Sequence, residues 1–355
     1  MRLPPYQLIP TILILSLFPC SVDKATAQDE GKLPKAYSYI PDDASMIISM
    51  DVASTWNGKN KDLLRKLSKI HPIVLTYQTM QMQKNVGIAF EDLDRFVVTY
   101  GNQNSPSGLV ILTTNKDYDK TAVMKAFGEK NLKKKTMNGK TFFTHISGSF
   151  ACFFAGKRTL VLGNRLDLEK TLKAKKQPVK NQAAVLVAKK QQKAFFLIYV
   201  APRTFIKSLD TNLPNPPRQI LMDLHKADRW WISLSANKGL QLRVRAEFPS
   251  QATSKDGEDA FQQGLKQVDA FFAFASEGLA KFAKRVKEQY PELPFLMKHW
   301  QADLKAGRKA LKSAKVDWTG NNVETVLNIE TENPPATAAL LLSLSPRQAK
   351  STKKP

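Results

Sequence analysis

Two adjacent tryptophans are the residues whose type and spacing best suit the binding of a flat ligand. Trp230 and Trp231 fall in an apolar run that predicts a strand, and successive side chains on a strand point to opposite faces. Trp231 therefore shares a face with Ser233 and Ser235, where its ring is placed to stack on a sugar. The alternative is that a helix covers this ring.

Two arginines in the next predicted strand suit the binding of an anion. Arg243 and Arg245 alternate with apolar residues between positions 240 and 248, which predicts a strand with one wet face. Together with nearby lysines they form a basic strip on that face. The alternative is an ordinary solvated surface.

Motifs of known catalytic chemistry do not occur in the chain. It has no Gly-rich phosphate loop, no dinucleotide fingerprint, no Gly-x-Ser-x-Gly elbow and no His-Glu-x-x-His. The four histidines lack metal-ligand spacing: His71, His145, His225 and His299. Paired acidic residues such as Asp92 and Asp94 precede predicted strands or helices, as turn and capping residues do. We therefore expect no catalytic residue, no metal and no cofactor.

A duplicated α+β fold is the scaffold that must position these residues. The order strand–helix–strand–strand–helix–strand occurs twice, about 150 residues apart, and Asp94-Arg95 and Asp228-Arg229 precede matching strands. We predict two tandem βαββαβ-like units, residues 36–165 and 194–344, with mainly antiparallel sheets and helices on one face. A Lys-rich helical bridge, 166–193, joins them.

One long helix, predicted over 256–289, dominates the second unit. Its apolar residues from Phe261 to Val286 step alternately four and three positions, which is a heptad pattern. A matching stripe from Leu293 to Ala314 follows after two prolines. We predict an antiparallel helical hairpin within a monomer, rather than a dimeric coiled coil.

The N-terminus resembles an export signal. Residues 1–27 contain a positive start, an apolar run from Leu8 to Phe18 and the small-x-small site Ala25-Thr26-Ala27. The alternative is a lipoprotein signal ending at Cys20. We expect export to the periplasm, cell envelope or medium, no transmembrane helix after cleavage, and a disordered basic tail at 345–355.

The formal net charge of +23 is high, and most of the 54 basic residues are lysine. Lysine is a hydrated point charge, whereas arginine is the usual choice for bidentate recognition of phosphate and base edges. The composition therefore favours diffuse attraction to polyanions or an envelope surface over sequence-specific reading of nucleic acid.

Several short strings resemble a group of uncharacterised exported proteins of planctomycete type. They are Tyr39-Ile40-Pro41-Asp42-Asp43-Ala44, Gly87-Ile88 before Leu93-Asp94-Arg95, Gly139-Lys140-Thr141-Phe142-Phe143 and Arg158-Thr159-Leu160-Val161-Leu162-Gly163. The resemblance implies export and a duplicated α+β fold, and it brings no known activity.

Our leading hypothesis is a non-enzymatic exported protein with a binding or structural role in the cell envelope. The alternative is a polyanion-binding protein, for an acidic polysaccharide or nucleic acid, that uses a Lys/Arg-rich surface. A hydrolase with an unfamiliar site is a third possibility, and it requires a pocket where polar side chains converge.

Overall fold

The computed structural model describes residues 35–53, 82–101, 108–173, 182–191, 194–202, 217–236, 240–286 and 293–330. The predicted signal (1–27), most of a helix that the sequence predicts over 60–84, and the basic tail (345–355) lie outside these residues.

A single antiparallel sheet contains all twelve strands found in this part of the chain. They are β1 (Met46–Asp51), β2 (Leu93–Tyr100), β3 (Gly108–Thr114), β4 (Leu132–Met137), β5 (Lys140–His145), β6 (Phe150–Phe154), β7 (Thr159–Asn164), β8 (Phe196–Val200), β9 (Arg229–Ala236), β10 (Leu240–Glu247), β11 (Val316–Thr319) and β12 (Asn322–Ile329). Their order across the sheet is β11-β12-β10-β9-β8-β1-β2-β3-β7-β6-β5-β4.

Residues 82–86 are helical, and six further α-helices have both ends in the described ranges. They are α1 (Lys120–Ala126), α2 (Arg165–Lys173), α3 (Gln182–Gln191), α4 (Pro217–His225), α5 (Gln251–Val286) and α6 (Leu293–Ser313). A 3-10 helix, Lys35–Tyr39, precedes β1. The fold is therefore α+β, as the sequence predicts.

The sheet is continuous because β1 pairs with β8 at its centre, where Ile48 lies opposite Ile198. The two predicted units therefore share one sheet and do not form separate sheets. Outward from this pair, β1-β2-β3-β7-β6 on one side matches β8-β9-β10-β12-β11 on the other. We call strands β1–β7 the first half of the sheet and β8–β12 the second half.

The two halves also agree in register. Met50 pairs with Phe96 in the first half as Val200 pairs with Trp230 in the second. Continuing outward, the first half aligns Val97, Ile111 and Val161, and the second half aligns Trp231, Arg245 and Glu324. These two rows therefore occupy corresponding positions.

Both faces of the sheet carry helices. On one face α2, α3 and the 3-10 helix bury Ile47, Val97, Ile111, Val161 and Leu197, and we call it the bridge face. The other, the hairpin face, packs against residues 82–86, α1, α4, α5 and α6. The α-helices of the two predicted units therefore lie on one face, and the opposite face is covered by the 3-10 helix and the Lys-rich bridge, which buries Leu168, Leu172, Ala184 and Val187.

The long helix begins at Gln251, five residues before its predicted start. Ser250 caps it, since its Oγ accepts a hydrogen bond from the Thr253 N–H at 3.3 Å. Helices α5 and α6 pack together as the predicted hairpin. Phe261 and Leu311 are buried, whereas Val268, on the same predicted stripe as Phe261, is 41% exposed. The stripe is therefore only partly covered.

Candidate functional site

The three predicted binding residues lie together on the bridge face of the second half. Trp231 lies directly opposite Arg245 in the pairing of β9 with β10, and Arg243 is two residues away on the same face. Trp230 points to the hairpin face, where its indole N–H donates to the Leu224 carbonyl at 2.9 Å. The predicted alternation of the two tryptophans is confirmed.

Trp231 is covered, in agreement with the alternative interpretation of the sequence. It is 3% exposed. The Tyr199 ring lies 4.8 Å away between centroids, and Lys190 Nζ of α3 lies 4.8 Å from the centre of the indole ring. The bridge helix therefore lies over the ring, and the Trp231 face is not open to a stacking ligand from solvent in this conformation.

The two arginines are tied to carboxylates instead of forming a bare basic strip. Arg243 lies 3.4 Å from Glu324, and Arg245 lies 3.8 Å from Glu247 and 4.0 Å from Glu324. Arg245 also donates to the Asn322 side chain at 3.0 Å. The sequence analysis did not predict the ion pairs with Glu324, because Glu324 comes from β12, almost 80 residues away in the chain. The sequence shows Glu324 alternating with apolar residues, but it does not show which residue of β10 lies opposite Glu324.

Two buried N–H donors in this cluster have no acceptor among the described residues: Trp231 Nε1 and Arg245 Nε. Lys190, above them, has a pKa lowered first by burial and then by the nearby Arg245 guanidinium. We call Lys190, Trp231, Arg245 and Glu324 the polar row. Its surroundings disfavour a further cation and leave two donors free.

A second candidate surface runs along α5 and α6, and sequence reasoning did not single it out. Two adjoining open cavities of about 860 and 590 Å³ share Lys312, and we call them together the hairpin groove. Six cationic residues line the hairpin groove: Lys266, Lys305, Arg308, Lys309, Lys312 and Lys315. Its acidic residues are Asp269, Glu277 and Asp317.

Only part of this positive charge is paired. Arg308 donates to Asp269 at 2.9 Å, which holds the pKa of that carboxyl below its usual range, and Lys309 contacts Glu330 at 3.1 Å. In the described part of the chain, the other four lysines have no carboxylate within ion-pair distance: Lys266, Lys305, Lys312 and Lys315. The helical repeat that places lysines every three or four residues of α6 was available in the sequence as a signal.

A third group of lysines lies on β4, at one edge of the sheet. Lys133 and Lys134 are exposed and Lys135 is half-buried. Lysines on an edge strand hinder pairing with another sheet, so a protective role explains them without a ligand.

Over the described ranges, no three His, Cys, Asp or Glu side chains gather as a metal site. Of the helices described, none is long and apolar enough to cross a bilayer.

Fold and surface thus define an α+β protein with one large antiparallel sheet and two charged candidate binding surfaces. No protein-family model matches the chain, and no curated protein matches it. Among solved structures, crystal form I of TP0453 is similar, with 9% identity, a TM-score of 0.42, and coverage of 88% of this chain and 98% of that chain. Crystal form III of TP0453 gives 9% identity, a TM-score of 0.42, and coverage of 91% and 99%. Likeness at this level transfers no function.

Proposed function

We propose that the protein is an exported, non-enzymatic binding protein that attracts acidic polymers through the hairpin groove. One observation carries the proposal. Lys266, Lys305, Lys312 and Lys315 line an open groove and have no carboxylate partner among the described residues. This favours polyanion binding over a purely structural role in the envelope, which gives no reason for unpaired charge along a groove.

The spacing of the charges suits a linear polymer. Lys305 and Lys312 lie on one side of α6, about 10 Å apart along its axis at 1.5 Å per residue. Lys315 continues the line beyond the end of the helix. Successive anionic groups of an extended chain can meet these charges in turn. Because the contacts are lysine ammonium groups, the attraction is electrostatic and carries little sequence information.

Salt-dependent binding tests this proposal. Binding of the signal-free chain to a fluorescent polyuronate and to a single-stranded polynucleotide is measured by anisotropy across a salt series. The groove variant Lys305→Gln/Lys312→Gln/Lys315→Gln is compared with the β4 variant Lys133→Gln/Lys134→Gln/Lys135→Gln. Both lose three charges, so net charge is matched.

For the groove variant, we expect the slope of the logarithm of the binding constant against the logarithm of the salt concentration to fall in magnitude by about three. For the β4 variant, we expect this slope to stay within about one of the wild-type value. Equal losses in both variants would mean diffuse attraction to the whole surface. Absence of binding at low salt would overturn the polyanion proposal and leave a structural envelope role. The two polymers separate an acidic polysaccharide from a nucleic acid as the preferred class.

We also propose that the chain is two tandem βαββαβ-like units, 36–165 and 194–344, and that residues 1–27 direct its export. Matched strand order and register support the duplication. The small-x-small site before Gln28 supports cleavage there. Mass spectrometry of the exported protein tests it: a mature N-terminus at Gln28 is expected, and a lipidated Cys20 would contradict it.

A further inference from the structure

We propose that the polar row is a binding site for a single carboxylate group, independent of polymer binding in the hairpin groove. The carboxylate would accept hydrogen bonds from Trp231 Nε1 and Arg245 Nε, the two buried donors that lack an acceptor among the described residues.

The two donors come from residues that face each other across the β9–β10 pair. Side chains directly opposite in an antiparallel pair have Cβ atoms about 5 Å apart, so the indole and the guanidinium are neighbours on one face of the sheet. Buried N–H groups without an acceptor are rare in native proteins because each forfeits a hydrogen bond to water. An acceptor is therefore expected at this position, either a ligand or a bound water.

Charge decides in favour of an anion. Four cations converge here, Lys190, Arg229, Arg243 and Arg245, against two carboxylates, Glu247 and Glu324. The excess is positive, and burial beside Arg245 already disfavours the protonated form of Lys190. A monoanion lowers this excess from two charges to one, and it meets less repulsion from the two glutamates than a dianion would. A carboxylate combines the single charge with two oxygens suited to an arginine fork.

The fold does not require polar residues at these positions. Val97, Ile111 and Val161, which correspond in register to Trp231, Arg245 and Glu324, are all fully buried and apolar. The same sheet geometry is therefore stable without an indole N–H, a guanidinium or a carboxylate there.

Access to the site is through the exposed side of β10. Arg243 is 48% exposed, and Arg245 is partly exposed. Lys190 lies across the Trp231 ring, and its flexible side chain would swing aside to admit the ligand. The cation over the ring would then pair with the incoming carboxylate.

Fluorine NMR of trifluoroacetate provides the probe, with line broadening titrated against the signal-free chain at constant ionic strength. Acetate and glucuronate compete as carboxylates, one a free small acid and one a sugar acid. Sulfate is the dianion control. We expect the line broadening of trifluoroacetate to saturate. Acetate or glucuronate should reverse it, and sulfate at equal ionic strength should not. The competitor that binds more tightly identifies the source of the carboxylate.

Variants locate the site. Arg245→Lys keeps the charge but loses the fork, and we expect about tenfold weaker binding. Trp231→Phe should weaken binding about fivefold. Trp230→Phe is the matched control, since its indole N–H already donates to Leu224, and it should bind within about twofold of wild type. No saturable broadening, or equal losses in Trp230→Phe and Trp231→Phe, would overturn the proposal and leave water as the acceptor.

Discussion

The same row of the sheet is built from apolar residues in one half and from polar residues in the other. Val97, Ile111 and Val161 are fully buried beneath the 3-10 helix and α2. At the corresponding positions, Arg245 and Glu324 are partly exposed beside Arg243. These residues pair in corresponding register, so the difference lies in what covers the bridge face. Charge is costly in a covered row, whereas a row that is partly open to solvent carries it at less cost.

The largest expected effect comes from moving the charge of the second half into the first. Ile111→Arg places a guanidinium in a fully buried position under α2, with valines instead of carboxylates as its cross-strand neighbours, and should cost at least about 4 kcal/mol of unfolding free energy. The reciprocal Arg245→Ile should change stability by about 1 kcal/mol or less, because Arg245 is partly exposed. Urea unfolding measures both, and similar costs would break the comparison.

A smaller effect is expected where a glycine in the first half corresponds to a valine in the second. Gly163 and Val326 match in register. A Cβ at Gly163 would overlap the Gly108 carbonyl oxygen, so Gly163→Val should cost about 2–3 kcal/mol. Val326→Gly should cost about 1 kcal/mol through lost packing and chain entropy. Equilibrium unfolding in urea decides, and a tolerated Gly163→Val would show that β3 and β7 can move apart.

The two tryptophans sharpen the comparison between the faces. Trp230→Phe and Trp231→Phe remove the same atoms, but only Trp230 loses a hydrogen bond, to Leu224. Without added carboxylate, Trp230→Phe should therefore be about 1 kcal/mol less stable than Trp231→Phe. Thermal unfolding of the pair measures this. If Trp231→Phe is the more damaging, its indole N–H has an acceptor already.

The smallest effect expected is a pH dependence from Lys190. Its folded-state pKa is lowered, first by burial, so the unfolded chain binds more protons between that pKa and the ordinary value of 10.5. The cost of Lys190 is fully present below the folded-state pKa and is relieved as pH rises towards 10.5. Lys190→Met should remove this rise in stability, as followed by urea midpoints across alkaline pH. If the stability of Lys190→Met rises with pH as much as that of the wild type, Lys190 is exposed to solvent in the folded protein.

The sequence predicted individual strands well because their patterns are local. Alternation between 240 and 248 predicts a strand, and β10 forms there. Asp94 and Asp228 occupy corresponding positions in register, although Asp94 lies within β2 and Asp228 lies just before β9. Local periodicity, set by side-chain burial, is what these predictions required.

The pattern of apolar residues did not predict which strands pair when they are far apart in the chain. Nothing near β1 or β8 indicates that they join two units into one sheet, since each carries apolar residues that suit any buried partner. The sequence analysis treated the bridge only as a connection between the two units, because it is rich in lysine. In the structure the bridge also contributes buried apolar residues: Leu168, Leu172, Ala184 and Val187. The acidic cluster near Asp256 obscured the cap at Ser250.

The most direct test of the account is to rebuild the charged pair of the second half within the first. Ile111→Arg/Val161→Glu places directly opposite residues as Arg245 and Glu324 are placed. We predict that urea unfolding finds this double variant at least about 3 kcal/mol less stable than wild type, because the cover over the bridge face forbids hydration of the pair. Stability within about 1 kcal/mol of wild type would show that pairing alone suffices, and would contradict the claim that the cover separates the two halves.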